Sequence, residues 1–400
     1  MSLAGLGDSL FEPVPGARAF RQDSPSAEAS RAGLLLALSI YAFGTDSAAE
    51  DIREDADELE APQLRPWADF SEDPWDQERI DDFTNRVLAA YEPYDGTAAD
   101  PEVAARILEG FAGTSNPSQL IALLNLCQRS DSPLEAVSAA AGLRAYSRGT
   151  LALSNQILER HIESRDELVR GVVAATLGAA PAPPELENEE PGSNGAARST
   201  QVSTTVHGTW DLVTEDGWYK PGAELHGHLR DRASANLYDD RGYFFWSGGY
   251  SAADRAQGAG DLARWRSVVS PWNEELDIVY AHSHGGNVAL SAAAAGQRMR
   301  MLVLMHTPAI DRTEDEWARI RASVKSVIVM RRRADLVVAA DSLRSFEGRQ
   351  KFDPRKLPHF AVVRSWTHPD AWFSHSFYVN RANWERFDLA NIVATRHKWV

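Results

Sequence analysis

Two periodicities divide this chain. From about residue 26 to 180 apolar positions recur at helical spacing, in blocks such as "AEASRAGLLLALSIYAF", "DQERIDDFTNRVLAAY", "PEVAARILEGFAG" and "PSQLIALLNLCQR". Several blocks open on Pro or acidic residues and break at Gly, Asn, Ser or Asp, as helices start and stop. From residue 201 the apolar positions gather into short runs: "VSTTVH", "GYFFWSG", "LDIVYAH", "RMLVLMH", "SVIVMR" and "FAVVRSW". Helical stretches such as "SAADRAQGAGDLARWRSVV" separate several of them. Strands alternating with helices predict an α/β domain with a mainly parallel sheet of about six strands.

The predicted organisation has four parts. Residues 1–25 are an extended or disordered N-terminus, and 26–180 form an all-helical domain. "PLEAVSAAAGLRAYS" and "DELVRGVVAATLGAA", which begin at Pro133 and Asp166, share a small-apolar texture. This is similar to HEAT-type repeats; an irregular Ala-rich bundle fits the same pattern. Residues 181–200, "PAPPELENEEPGSNGAARST", lack large apolar side chains and read as a linker. Residues 201–400 form the α/β domain.

Charge and cysteine content narrow the partners. A net charge of −16 argues against nucleic acid or an anionic membrane surface. One cysteine, Cys127, precludes an internal disulfide and a cysteine-based zinc site. The start lacks a basic region followed by an apolar run, and Gly33 to Phe43 is too short to span a bilayer. A cytoplasmic protein is the expectation, with signal-independent export left open.

Ligands on parallel sheets bind at the carboxyl ends of strands. At one such end stands Ala281-His282-Ser283-His284-Gly285, followed by the helical "NVALSAAAAG". Small residues two before and two after the serine let strand and helix approach, and allow a strained backbone that lifts the hydroxyl clear. A serine needs a base and an orienting acid. Asp335 follows the strand "SVIVMR", and Asp311 lies past the preceding one. "FAVVRSWTHPDAWFSHSFYVN" offers two histidines, His368 and His375. His282 and His284 have a chelating spacing, but no carboxylate or cysteine accompanies them nearby, so no metal is expected.

The turn resembles the nucleophile elbow of the α/β-hydrolase superfamily, with Ala281 in place of the first glycine. "TTVHGTW" resembles the oxyanion loop of its lipases. The resemblance covers about half the chain. It implies a Ser283–His375–Asp335 triad, with Asp311 as the alternative acid and His368 as the alternative base, and an oxyanion hole of Thr209 and His284. His207, Gly208 and Gly285 support these, with His207 bracing the loop. It implies a serine hydrolase of the esterase or lipase type, acting on small-molecule or lipid esters and needing no cofactor. The sheet is a shortened version of the fold, and the stretch from Ser283 to Asp335 is too short for a large lid. The helical domain, which the minimal fold lacks, would cap the site or bind a partner protein. The alternative is an inactive scaffold of the same fold, with the helical domain as its docking module. "GWYKPGAELHGHL" would form either an acyl-pocket wall or a packed surface loop.

Overall fold

The computed structural model describes residues 25–43, 49, 75–89, 101–114, 117–178, 201–209, 217–331, 335–345, 348–349, 351–364 and 374–400. The expected N-terminal tail up to residue 24, the linker 181–200 and His368 lie outside them. The chain divides into two compact units, residues 1–177 with 339–346, and residues 178–338 with 347–400. Among the described residues, no helix is long and apolar enough to cross a membrane.

The first unit holds α1 (Pro25–Phe43), α2 (Gln77–Leu88), α3 (Pro101–Thr114), α4 (Pro117–Cys127), α5 (Pro133–Tyr146), α6 (Ala152–Arg160) and α7 (Glu167–Leu177). Proline opens four of them, where its missing N–H costs nothing. The Ser132 hydroxyl caps α5 by accepting from the Glu135 amide at 3.2 Å. α5 is buried continuously from Leu134 to Leu143, as a helix apolar all round must be. It packs against α1, α4, α6 and α7. Among the described residues α5 thus has four helix partners, α1 among them.

The second unit is α/β. Its strands are β1 (Thr204–Val206), β2 (Glu275–His282), β3 (Arg298–Met305), β4 (Ala309–Ile310), β5 (Val324–Arg331), β6 (Gly348–Arg349) and β7 (Ala361–Arg364). Five form a parallel sheet in the order β1-β2-β3-β5-β7; β4 and β6 make a separate antiparallel pair. Period-2 alternation splits the central strands between two cores. Val279 and Ala281, Leu302 and Leu304, and Val327 and Val329 face α9 (Ala252–Val269), α10 (His284–Ala294) and α11 (Glu314–Ser323). Ile278 and Tyr280, Met301 and Val303, and Ile328 and Met330 face α8 (Glu224–Arg232), α13 (Arg381–Arg386) and α14 (Leu389–His397). Helices cover both faces, so the strands read as near-continuous apolar runs.

The expected strand at "GYFFWSG" is not formed. Residues 243–248 alternate in burial, with Phe244 and Trp246 inward, yet they pair with no strand. The Trp246 indole N–H is spent on the His207 carbonyl at 2.8 Å. The place beside β1 is taken by a single parallel bridge between Ser203 and Leu237. Among the described residues the sheet therefore has five strands, against the expected number of about six.

Candidate active site

Chemistry gathers where β2, β3 and β5 end. Ser283 leaves β2 with φ 51° and ψ −135°. A side chain there costs about 1–3 kcal/mol, since only glycine occupies that region freely. Backbone bonds hold it: the Ser283 amide donates to the Met305 carbonyl at 2.8 Å, and the Gly286 amide donates to the Ser283 carbonyl at 3.0 Å. Ser283 precedes α10 at its N-cap position, where a serine hydroxyl ordinarily accepts from the helix. Here the hydroxyl makes no cap bond. The turn closes because glycine follows. A Cβ on Gly285 would stand 2.3 Å from the His207 carbonyl oxygen and 2.6 Å from that of Val206. One on Gly286 would meet Thr307 Oγ1 at 2.0 Å. The start of α10 is thus wedged between the loops after β1 and β3.

Asp335 lies between the end of β5 and α12 (Leu336–Ser345). Its Oδ1 accepts from the amides of Val337 at 3.0 Å and Val338 at 3.1 Å. Its Oδ2 accepts twice, from His375 Nδ1 at 2.7 Å and from His306 Nδ1 at 2.7 Å. Next to Ser283, His282 Nε2 donates to the His375 carbonyl at 3.0 Å, and the two rings lie 4.9 Å apart. Expected acid and expected base are brought together, and His306 joins them. Asp311 lies exposed just past β4.

Burial alone would raise the Asp335 pKa. The adjacent His375 and the hydrogen bonds from both histidines outweigh it and hold the carboxyl well below the usual range. Burial pushes His306 down to about 4, against the pull of Asp335. His306 is therefore neutral at pH 7, with its proton on Nδ1. The Nε2 atoms of His306 and His375 are both buried and have no hydrogen-bond partner among the described residues.

The loop after β1 supplies the other wall. His207 Nδ1 donates to the Gly208 carbonyl at 2.8 Å, while its Nε2 accepts from the Trp246 amide at 3.3 Å. Both nitrogens are occupied in one neutral tautomer, so this histidine braces the loop. Thr209 is buried and its hydroxyl has no partner among the described residues. His284, at the start of α10, sets its ring edge-on to Tyr250 at 4.8 Å. Trp218 packs edge-on against His282, and Tyr219 lies 4.5 Å from the His207 ring. Those two aromatics, expected as pocket wall or surface loop, are buried under the site.

His306, Asp335 and His375 also offer ligand atoms within 4.8 Å of one another, a set that could gather round a metal ion. The 2.7 Å spacings are hydrogen-bond lengths. Ligands held about 2.0–2.1 Å from a tetrahedral ion stand farther apart than that. His306, which closes the run "RMLVLMH", is not among the residues the sequence singles out. The rule that chemistry sits just past each strand applies to "RMLVLMH" as it does to "LDIVYAH". Compared with known proteins, the chain matches no family model, no curated protein and no solved structure.

Proposed function

We propose that this protein is a serine hydrolase of the α/β-hydrolase type that cleaves carboxylic esters through an acyl-enzyme. One observation carries the reading. A serine in a strained strand-to-helix turn, its hydroxyl unused for capping, follows His282, whose ring meets that of His375, and a buried carboxylate holds His375 by Nδ1. That bond leaves the lone pair of His375 on Nε2, the nitrogen a general base uses.

In this mechanism Ser283 Oγ attacks the ester carbonyl and His375 Nε2 takes its proton. The oxyanion is held by the His284 amide at the start of α10 and by Thr209, whose unpartnered hydroxyl is a further donor. Collapse breaks the bond to the alcohol oxygen, and His375 returns the proton to it. Water then attacks the acyl-enzyme by the same route, and the carboxylic acid leaves. Asp335 keeps its charge throughout and stabilises the imidazolium.

A catalytically silent scaffold is the second reading. It is favoured by the unpartnered His375 Nε2, which the Ser283 hydroxyl does not reach in this structure. Hydrogen bonds of catalytic groups often tighten only when substrate binds. Labelling of the intact protein with a fluorophosphonate, followed by nitrophenyl esters of rising chain length, separates the two. Stoichiometric labelling at Ser283 supports the hydrolase. No labelling and no turnover of any ester leaves the scaffold.

A further inference from the structure

The hydrolase mechanism uses one histidine on Asp335, but the carboxylate holds two. His306 Nδ1 and His375 Nδ1 stand at the same distance, 2.7 Å, from the same oxygen. With the Val337 and Val338 amides on Oδ1, the carboxylate accepts from at least four donors among the described residues. His306 is also held in an uncommon backbone conformation, with φ 49° where it leaves β3. Its amide donates to the Met330 carbonyl at 2.9 Å, which fixes the turn.

The two histidines are not equivalent. The His306 side chain is 0% exposed and that of His375 is 11% exposed. A base must follow its proton to the leaving group, so His375 is placed for that work and His306 is not. His306 keeps its proton on Nδ1, pointed at Asp335, and has none on Nε2 to pass on.

We infer that His306 is a positioning residue: it holds Asp335 Oδ2 in place, so that the carboxylate orients His375 as the base. The inference rests on the hydrolase reading only in calling His375 the base. With His306 in place, Oδ2 is held between two N–H donors and is restrained from swinging away from His375. The groups facing this pair are His282 from β2, Asp335, Tyr378, whose ring lies 4.9 Å from His306, and Arg331, whose carbonyl accepts the Tyr378 hydroxyl at 3.1 Å. All of these stay when His306 is replaced.

The test is a nuclear magnetic resonance titration of the full chain with 15N-labelled histidine. It compares the wild type, His306→Gln, which keeps an N–H donor, and His306→Phe, which keeps a ring without one. Two strongly downfield ring N–H protons are expected in the wild type, assigned to His306 and His375. In His306→Phe the downfield His375 proton should be lost or broadened by exchange with water, and kcat should fall by roughly tenfold with KM little changed, whereas His306→Gln should keep both. A purely structural His306 predicts lower stability in both variants with the His375 proton and kcat unmoved, which overturns the inference. So does a single downfield ring proton in the wild type, a result that needs no variant to fold. Failure of the hydrolase reading would show separately, as an unlabelled Ser283.

Discussion

The Ser283 amide hangs from the Met305 carbonyl at 2.8 Å, the last carbonyl of the neighbouring strand. One residue on, the His306 amide hangs in the same way from Met330 at 2.9 Å. At the next strand the Arg331 carbonyl takes the Tyr378 hydroxyl. The ladder thus continues past the end of the sheet, strand to strand, and each step carries one member of the site. Ser283 and His306 are positioned by backbone bonds, and the turn bearing His375 by the Tyr378 hydroxyl. Such a site is rigid, and small backbone errors reach all of it.

Ser283 itself offers the first test. Ser283→Ala removes the nucleophile but keeps a side chain at φ 51°. Ser283→Gly removes it and relieves the strain. Both variants should lose fluorophosphonate labelling and ester hydrolysis. The glycine variant should be more stable than the alanine variant by about 1 kcal/mol, the strain released less the greater freedom of an unfolded glycine. Urea titration of the two measures it. Equal stability would mean that the turn carries no strain, and retained hydrolysis in either would remove Ser283 from the mechanism.

Gly285 tests the close approach beneath the serine. An alanine there would put its Cβ 2.3 Å from one backbone oxygen and 2.6 Å from another, and neither can rotate away. The loop after β1, with Thr209, must move outward. Gly285→Ala should lower kcat by tenfold or more, on the order of what misplacing an oxyanion donor costs, and should lower the melting temperature as well. A variant with wild-type kcat would show that the loop plays no part in the reaction.

Much of this was legible in the sequence, for physical reasons. β2, β3 and β5 are buried on both faces, so they stand out as apolar runs bounded by charge or glycine. The serine turn was legible because close packing demands small residues at fixed offsets. The "GYFFWSG" segment misled because alternating burial mimics a strand, while the ladder it needs is a tertiary matter. His306 was obscured for another reason. Its partner Asp335 lies 29 residues away, and no spacing rule announces that one carboxylate will serve two imidazoles. The central place of α5 was equally hidden, since a helix that is small and apolar all round shows no preferred face.

In the helical unit, Gly142 marks the closest approach of α5 to α1. A Cβ there would meet Ser39 Oγ at 2.2 Å and Ser39 Cβ at 3.1 Å. Ser39 is held in place, its hydroxyl donating to the Leu35 carbonyl at 2.7 Å. Gly142→Ala should therefore destabilise the unit by roughly 1–3 kcal/mol, as overpacking does. The double variant Ser39→Ala/Gly142→Ala should recover much of that loss. Thermal melts of the four proteins give the coupling between the two sites. Additive effects would show that the helices shift apart without strain.

Asp335 should be the least replaceable member of the site. Asparagine keeps the shape but turns an acceptor into a donor, against two histidines that both present N–H. Whichever way the amide turns, its NH2 faces two N–H donors, either the two rings or the Val337 and Val338 amides. Asp335→Asn should lower kcat by about four orders of magnitude while the protein still folds. Asp311→Asn, out in solvent, should change little. If the two outcomes were exchanged, the orienting acid would be the one beyond β4.

His306 should also make the protein sensitive to acid, and the sign follows from its burial. Its pKa is lowered from 6.5 in the open chain to about 4 in the fold. Between those values the unfolded chain binds a proton that the folded protein does not, so stability rises with pH through the window. The contribution is complete above about pH 6.5 and is lost as pH falls towards 4, up to about 3 kcal/mol in all. Asp335 acts in the adjoining range. Its folded pKa lies below its ordinary 3.8, so its share is present above that value and fades only in stronger acid. Urea midpoints of the wild type should thus fall steadily from pH 6.5 to 4. In His306→Gln, which cannot be protonated, that part of the slope should disappear while the loss below pH 4 remains. A glutamine variant with the full wild-type slope would mean that another group, not His306, takes up the proton on unfolding.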